Sequence, residues 1–232
     1  MADNRITRKR LKNHFVYGWW KYLLAVVLCV MGVDLIFSMT AYRPPEDKKI
    51  ELYMCNGYAN TELLREELWP VLVERYPQQE ELTVLNIDLT SGDIYAPMQF
   101  STYIAAQQGD VCLLPRSEVE KLTADGADSA FVELTPYLEN GVIDASGVEL
   151  EAGMYRSEAG ETGLYAIPTD SLYGLLDYGC DPAGGMLCIL AFSGNQDTAA
   201  GVVGMLLDML SGEAPEGYEE EETPQSTQQI FR

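Results

Sequence analysis

Histidine is nearly missing from this sequence: of 232 residues only His14 is one, and it lies in a basic segment ahead of a long apolar run. Everything beyond that run must work without imidazole, which removes histidine-based triads and the common zinc sites. Positive charge is scarce there too. Of the 36 acidic residues only Asp3 and Asp34 precede Pro44, so 34 remain against eight basic ones (Lys48, Lys49, Arg65, Arg75, Arg116, Lys121, Arg156, Arg232), a net charge of −26. With no basic patch to neutralise phosphate, nucleic-acid binding is excluded, and anionic membrane surfaces are disfavoured. The acid surplus serves solubility and admits neutral or cationic ligands. No phosphate loop or dinucleotide-binding glycine fingerprint occurs, and Gly201-Val202-Val203-Gly204 falls in a helical run and reads as close packing. No internal repeat is present. Four of the five cysteines (Cys55, Cys112, Cys180, Cys188) follow the apolar run in no tight framework. A bridge between Cys180 and Cys188 across the turn-rich Asp181 to Gly185 competes with buried free thiols.

The run itself, Tyr22 to Ala41, is almost wholly apolar. At about 1.5 Å rise per residue it spans a ~30 Å hydrocarbon core. Arg5, Arg8, Lys9, Arg10, Lys12 and Lys21 precede it, while Arg43, Lys48 and Lys49 follow. That asymmetry places the N-terminus in the cytoplasm and the rest outside, with Trp19, Trp20 and Tyr42 at the two interfaces. Met39-Thr40-Ala41 is a poor cleavage site, and Cys29 follows Leu28 in mid-span rather than a small residue, so a retained anchor is preferred to a cleaved or lipidated signal. Asp34 inside the span is read as a tolerated polar residue or as a contact with another membrane helix. The expected organisation is a basic cytoplasmic tail (1–21), a single transmembrane helix (22–42), a linker (43–49), an extracellular α/β domain (50–210) and a disordered acidic tail (211–232).

Within the domain, Ile50 to Cys55 alternates as a strand, and Asn60 or Thr61 caps a helix running to about Tyr76 with Pro70 inside it. Leu82 to Asp88 predicts a second strand, Pro97 to Gln108 a helix ended at Gly109, and Asp110 to Leu114 a buried strand. Ser117 opens a third helix. The order β-α-β-α-β-α predicts a parallel sheet with helices on its faces. A turn-rich stretch runs to Gly163. Strands are expected over 164–168, 173–177 and 186–192, and a closing helix over 197–210.

Several segments in this order resemble the extracellular solute-binding proteins of bacterial sugar importers. Gln108-Gly109-Asp110-Val111 resembles their "G-x-x-D-(V/I)" entry to the third strand, and Phe131 to Leu138 their "L-(D/E)-L-T-P-Y-(L/I)" segment. Leu164 to Pro168 is similar to "Y-(G/A)-I-P", and Ser193 to Ala200 to "S-K-N-P-(E/D)-A-A". The likeness covers Lys49 to Leu210. It implies a type II periplasmic-binding-protein-like domain, here compact and degenerate. Family members close two lobes over a ligand on a much longer chain, whereas Tyr173 to Ser193 is too short for a full second lobe. The usual tyrosine-asparagine is Tyr178-Gly179, and a helix replaces the lipid-attachment cysteine.

Ligands of parallel sheets sit at the carboxyl ends of strands. With the resemblance, that rule nominates Asn56, Gly57 and Tyr58 after the first strand, Thr90, Ser91 and Asp93 after the second, Pro115 and Arg116 after the third, and Thr169, Asp170 and Tyr173 after the crossing strand. Tyr58 and Tyr173 offer stacking faces, and Arg116 a fork for a carboxylate. Each also reads as an ordinary loop residue or helix cap, the commoner role for such positions. Asp88, Asp93 and Asp110 are candidates for a calcium site or an acid pair, weighed against plain solvation. The expected function is non-catalytic recognition of a small solute, with carbohydrate implied by the resemblance, or of a membrane partner such as a permease. No cofactor or metal is expected. The alternatives are an interaction module that has lost its ligand site and a glycan hydrolase using paired carboxylates.

Overall fold

The computed structural model describes residues 8–40, 42 and 44–215 and divides into two units, Met1–Arg43 and Pro44–Arg232. The expected cytoplasmic residues 1–7, Ala41, Arg43 and the tail from 216 onward lie outside the described residues. Within the first unit, the helix α1 (Arg8–Thr40) starts well before the apolar run. Its stretch Gly18–Thr40, 23 residues, is long and apolar enough to cross a membrane.

The second unit is a three-layer α/β domain. Its five-stranded sheet has the order β2-β1-β3-β7-β6, with β1 (Lys49–Met54), β2 (Glu81–Asn86), β3 (Val111–Pro115), β6 (Ile167–Pro168) and β7 (Gly185–Ile189). The expected parallel core is β2-β1-β3; β7 then joins β3 antiparallel and carries β6 on its other edge. Period-two alternation sorts the side chains to two faces. Ile50, Leu52, Met54, Val111, Leu113, Leu187 and Ile189 share one core with α2 (Thr61–Arg75) and α6 (Gln196–Leu210). Tyr53, Cys55, Cys112, Leu114, Met186 and Cys188 share the other with α3 (Tyr95–Ala105) and α4 (Arg116–Leu122).

Local signals explain the helices. Asn60 caps α2, its side chain accepting the Leu63 N–H at 3.2 Å, and the helix runs unbroken through Pro70. α6 is buried all round, and Gly201 and Gly204 are the reason it fits. A Cβ on Gly201 would collide with the Tyr76 hydroxyl, and one on Gly204 would come within 2.7 Å of the Val142 carbonyl.

Two segments differ from the expectation. Residues 173–178 form a 3₁₀ helix, not a strand, because Leu172, Leu175 and Tyr178 are buried at a spacing of three, the 3₁₀ period, and Gly179 ends the turn in the left-handed region. The expected strand 164–168 is split between β6 and a hairpin of β4 (Met154–Arg156) with β5 (Thr162–Leu164), formed inside the turn-rich stretch. A short helix α5 (Thr135–Glu139) precedes that hairpin. All four cysteines of the domain are buried free thiols, so Cys180 and Cys188 are not bridged.

Candidate functional site

Because β6 runs parallel to β3, the segments following β2, β1, β3 and β6 all leave the same edge of the sheet, where the candidate residues were expected. The loop 181–184, which leads into β7, is stitched across this edge. Asn56 donates its amide to the Asp181 and Ala183 carbonyls, both at 3.2 Å. The Thr169 hydroxyl donates to the Pro182 carbonyl at 2.7 Å, and Asp170 Oδ1 accepts the Gly184 N–H at 2.8 Å. The Arg116 N–H reaches the Gly184 carbonyl at 2.9 Å. Beneath the loop, the Cys180 thiol donates to the Asn56 carbonyl at 3.1 Å, and burial pushes this thiol up to about 12. Asn56 and Thr169 are buried, so their polar groups hold the loop.

A cavity of about 550 Å³ opens beside this seam. It brings together Arg116, Asp170 and Tyr173 from the expected set. Arg116 Nη2 lies 3.2 Å from Asp170 Oδ2, with both side chains partly exposed, a geometry that positions the guanidinium more than it stabilises the fold. Arg116 Nε is buried without a hydrogen-bond partner, an N–H held ready for an acceptor. The opposite wall, Val148, Glu149 and Glu151, comes from the turn-rich stretch and escaped the sequence reading. Nothing in the local pattern marks those residues, because they reach the site only through the packing of the segment leading to β4. One guanidinium faces three lining carboxylates, a balance that suits a neutral, hydroxyl-rich or cationic ligand over an anion.

The other candidates do not line this cavity. Gly57, at φ +91, gives its carbonyl to the Asn86 amide at 2.8 Å. Tyr58 is 67% exposed and stands over Gly179. Thr90 and Ser91 close a turn on Asp88 Oδ1, at 2.8 Å and 3.1 Å from their N–H groups, and Asp93 accepts the Tyr95 N–H at 3.0 Å. Pro115 closes β3 and sets the entry to α4. Asp88 follows β2, whereas Asp110 precedes β3 and lies at the opposite end of the sheet, so the three weighed carboxylates do not converge. Among the described residues, no group of three or more histidines, cysteines or carboxylates is arranged to hold a metal ion.

No protein-family model matches the sequence, and no curated protein matches it. Among solved structures the chain is similar to a family 1 extracellular solute-binding protein from Alicyclobacillus acidocaldarius, at 14% identity and TM-score 0.38, over 55% of this chain and 29% of that one. It is similar to the GacH receptor of Streptomyces glaucescens, solved unliganded and with acarbose, at 12% identity and TM-score 0.36, over 53% and 29%. Maltose-bound MalE3 of T. maritima aligns at 17% identity and TM-score 0.32, over 57% and 33%. The aligned region thus spans about a third or less of each of those chains.

Proposed function

We propose that this chain is a membrane-anchored, extracytoplasmic binding protein that takes a small, neutral, hydroxyl-rich solute of the carbohydrate type in the cavity beside Arg116, without chemical turnover. The observation that carries this reading is the unpartnered, buried Nε of Arg116 beside Asp170. Paired donors and acceptors on a guanidinium–carboxylate couple match vicinal hydroxyls, and Tyr173 supplies an aromatic wall. The anchor rests on the apolar stretch Gly18–Thr40, and the outward orientation on the basic residues before it. A permease in the same membrane is the natural partner for such a protein. The test is thermal unfolding of the full-length protein in nanodiscs against a panel of mono- and oligosaccharides. Saturable stabilisation by one of them, lost in Arg116→Ala, supports the reading; no shift with any sugar overturns it.

Ile94, Tyr95 and Met98, exposed at the start of α3, support a second reading, in which the domain docks on a membrane partner. Under that reading, replacing the three with serine abolishes crosslinking to the partner while Arg116→Ala does not.

A further inference from the structure

Between Lys21 and Thr40, Asp34 is the only acidic or basic residue of α1. Measured along Gly18–Thr40 at about 1.5 Å per residue, its Cα sits about 9 Å short of the Thr40 end and about 24 Å from the Gly18 end. A long lysine or arginine stem carries its charge from such a depth to the headgroups, but aspartate has no such reach. Its Cα–Cβ bond moreover tilts toward the helix N-terminus, away from the nearer end of the span and into the hydrocarbon. Lys21, the nearest basic residue of α1, is 13 residues and about 20 Å back along the axis, too far to neutralise it. No ion pair engages Asp34 among the described residues. The face around it is open to a neighbour. Val27, Val30, Met31 and Ser38 lie seven, four, three and four residues from Asp34, share its stripe, and are all exposed on the helix. Ser38 brings a hydroxyl one turn from the carboxylate, able to bond across a helix pair.

From this we infer that α1 packs through its Asp34 face against a transmembrane helix of another protein, one that carries a lysine or arginine at the same depth. Charge complementarity selects this occupant. Lipid leaves the carboxylate unpaired in hydrocarbon, where ionisable groups are costly and turn toward a partner. A second copy of the chain in parallel brings a second carboxylate to the same level, and like charges at one site oppose each other. A basic side chain supplies the opposite charge and the hydrogen-bond donors together, and Val27, Val30 and Met31 pack against the rest of its helix. The inference rests on the membrane-spanning reading of α1 proposed above, and on nothing in the Arg116 cavity.

The test is Förster energy transfer in neutral lipid vesicles from the labelled full-length protein to a synthetic oligoleucine transmembrane peptide. One peptide carries a single lysine six residues from one end of its span, and the reference peptide carries leucine there. The expected result is transfer above random mixing with the lysine peptide alone. Association should weaken about tenfold or more in Asp34→Asn, which keeps the shape and removes the charge, and vanish in Asp34→Leu. Equal transfer to both peptides, or transfer undiminished in Asp34→Leu, overturns the inference. So does transfer between two copies of the protein with none to the lysine peptide, which assigns the face to self-association. Carbonate extraction of the same vesicles reports the span separately. Protein released by carbonate removes the anchor and this inference with it, whereas protein that stays in the bilayer without transfer sinks the inference and leaves the anchor standing.

Discussion

Asp110 shows how one side chain carries a pH dependence. Its Oδ2 accepts the Glu51 N–H at 2.9 Å and its Oδ1 the Ser193 hydroxyl at 2.6 Å. Burial outweighs both bonds, and the charges of Glu51 and Glu46 add to it, so the carboxyl titrates above its ordinary 3.8. The folded state therefore keeps this proton after the unfolded chain has lost it. Stability falls as pH rises from the unfolded value through the raised folded one. Asp110→Asn removes that contribution, and urea midpoints measured across the acidic range should decline less steeply in the variant than in the wild type; parallel curves would refute the assignment. The thiols give a second prediction. Burial pushes Cys55 and Cys112 upward and holds Cys180 at about 12, so the thiolates that react are nearly absent at mild alkaline pH. Iodoacetamide followed by mass spectrometry should leave all four domain cysteines unmodified in the native protein and label them once denaturant is added.

Strands and helices with a clear period were legible in advance, because burial on two faces leaves a pattern that survives without knowledge of partners. The alternation of β1 and the Asn60 cap of α2 are of that kind. Residues 173–177 suit a strand in the sequence because a period of three falls between the two templates, whereas the structure winds 173–178 into a 3₁₀ helix. The β4–β5 hairpin was missed because its strands are three residues each and present little alternation. The site divides along the same line: Arg116, Asp170 and Tyr173 follow from strand ends, while Glu149 and Glu151 arrive by tertiary packing. The loop 181–184 has its own prediction. Asn56→Ala removes both donors to its carbonyls and leaves a void under it, which should cost about 1–3 kcal/mol in chemical denaturation. Because the same loop holds Asp170 through the Gly184 N–H, the variant should also weaken any ligand of the Arg116 cavity.

The two units differ in what holds them together. The two hydrophobic clusters of the domain are built from residues 50 to 210, so a fragment spanning 44–215 should unfold cooperatively. Its stability should depend on salt in a direction set by charge imbalance. Among the described residues five ion pairs engage Lys48, Lys49, Arg65, Arg116 and Lys121, against the 34 carboxylates of residues 44–232. Like charges at this density oppose the compact state more than the expanded one. Raising ionic strength shortens the screening length from about 30 Å at 0.01 M to about 8 Å at 0.15 M, which weakens that repulsion across the surface. Four of the ion pairs lose little in exchange, because exposed pairs contribute only about 0–1 kcal/mol each, and Lys49–Glu51, largely shielded from solvent, is screened less. The melting temperature of the fragment should therefore rise with sodium chloride over this range. A fall would mean that the five ion pairs, rather than the surplus of carboxylates, dominate the electrostatics of the fold.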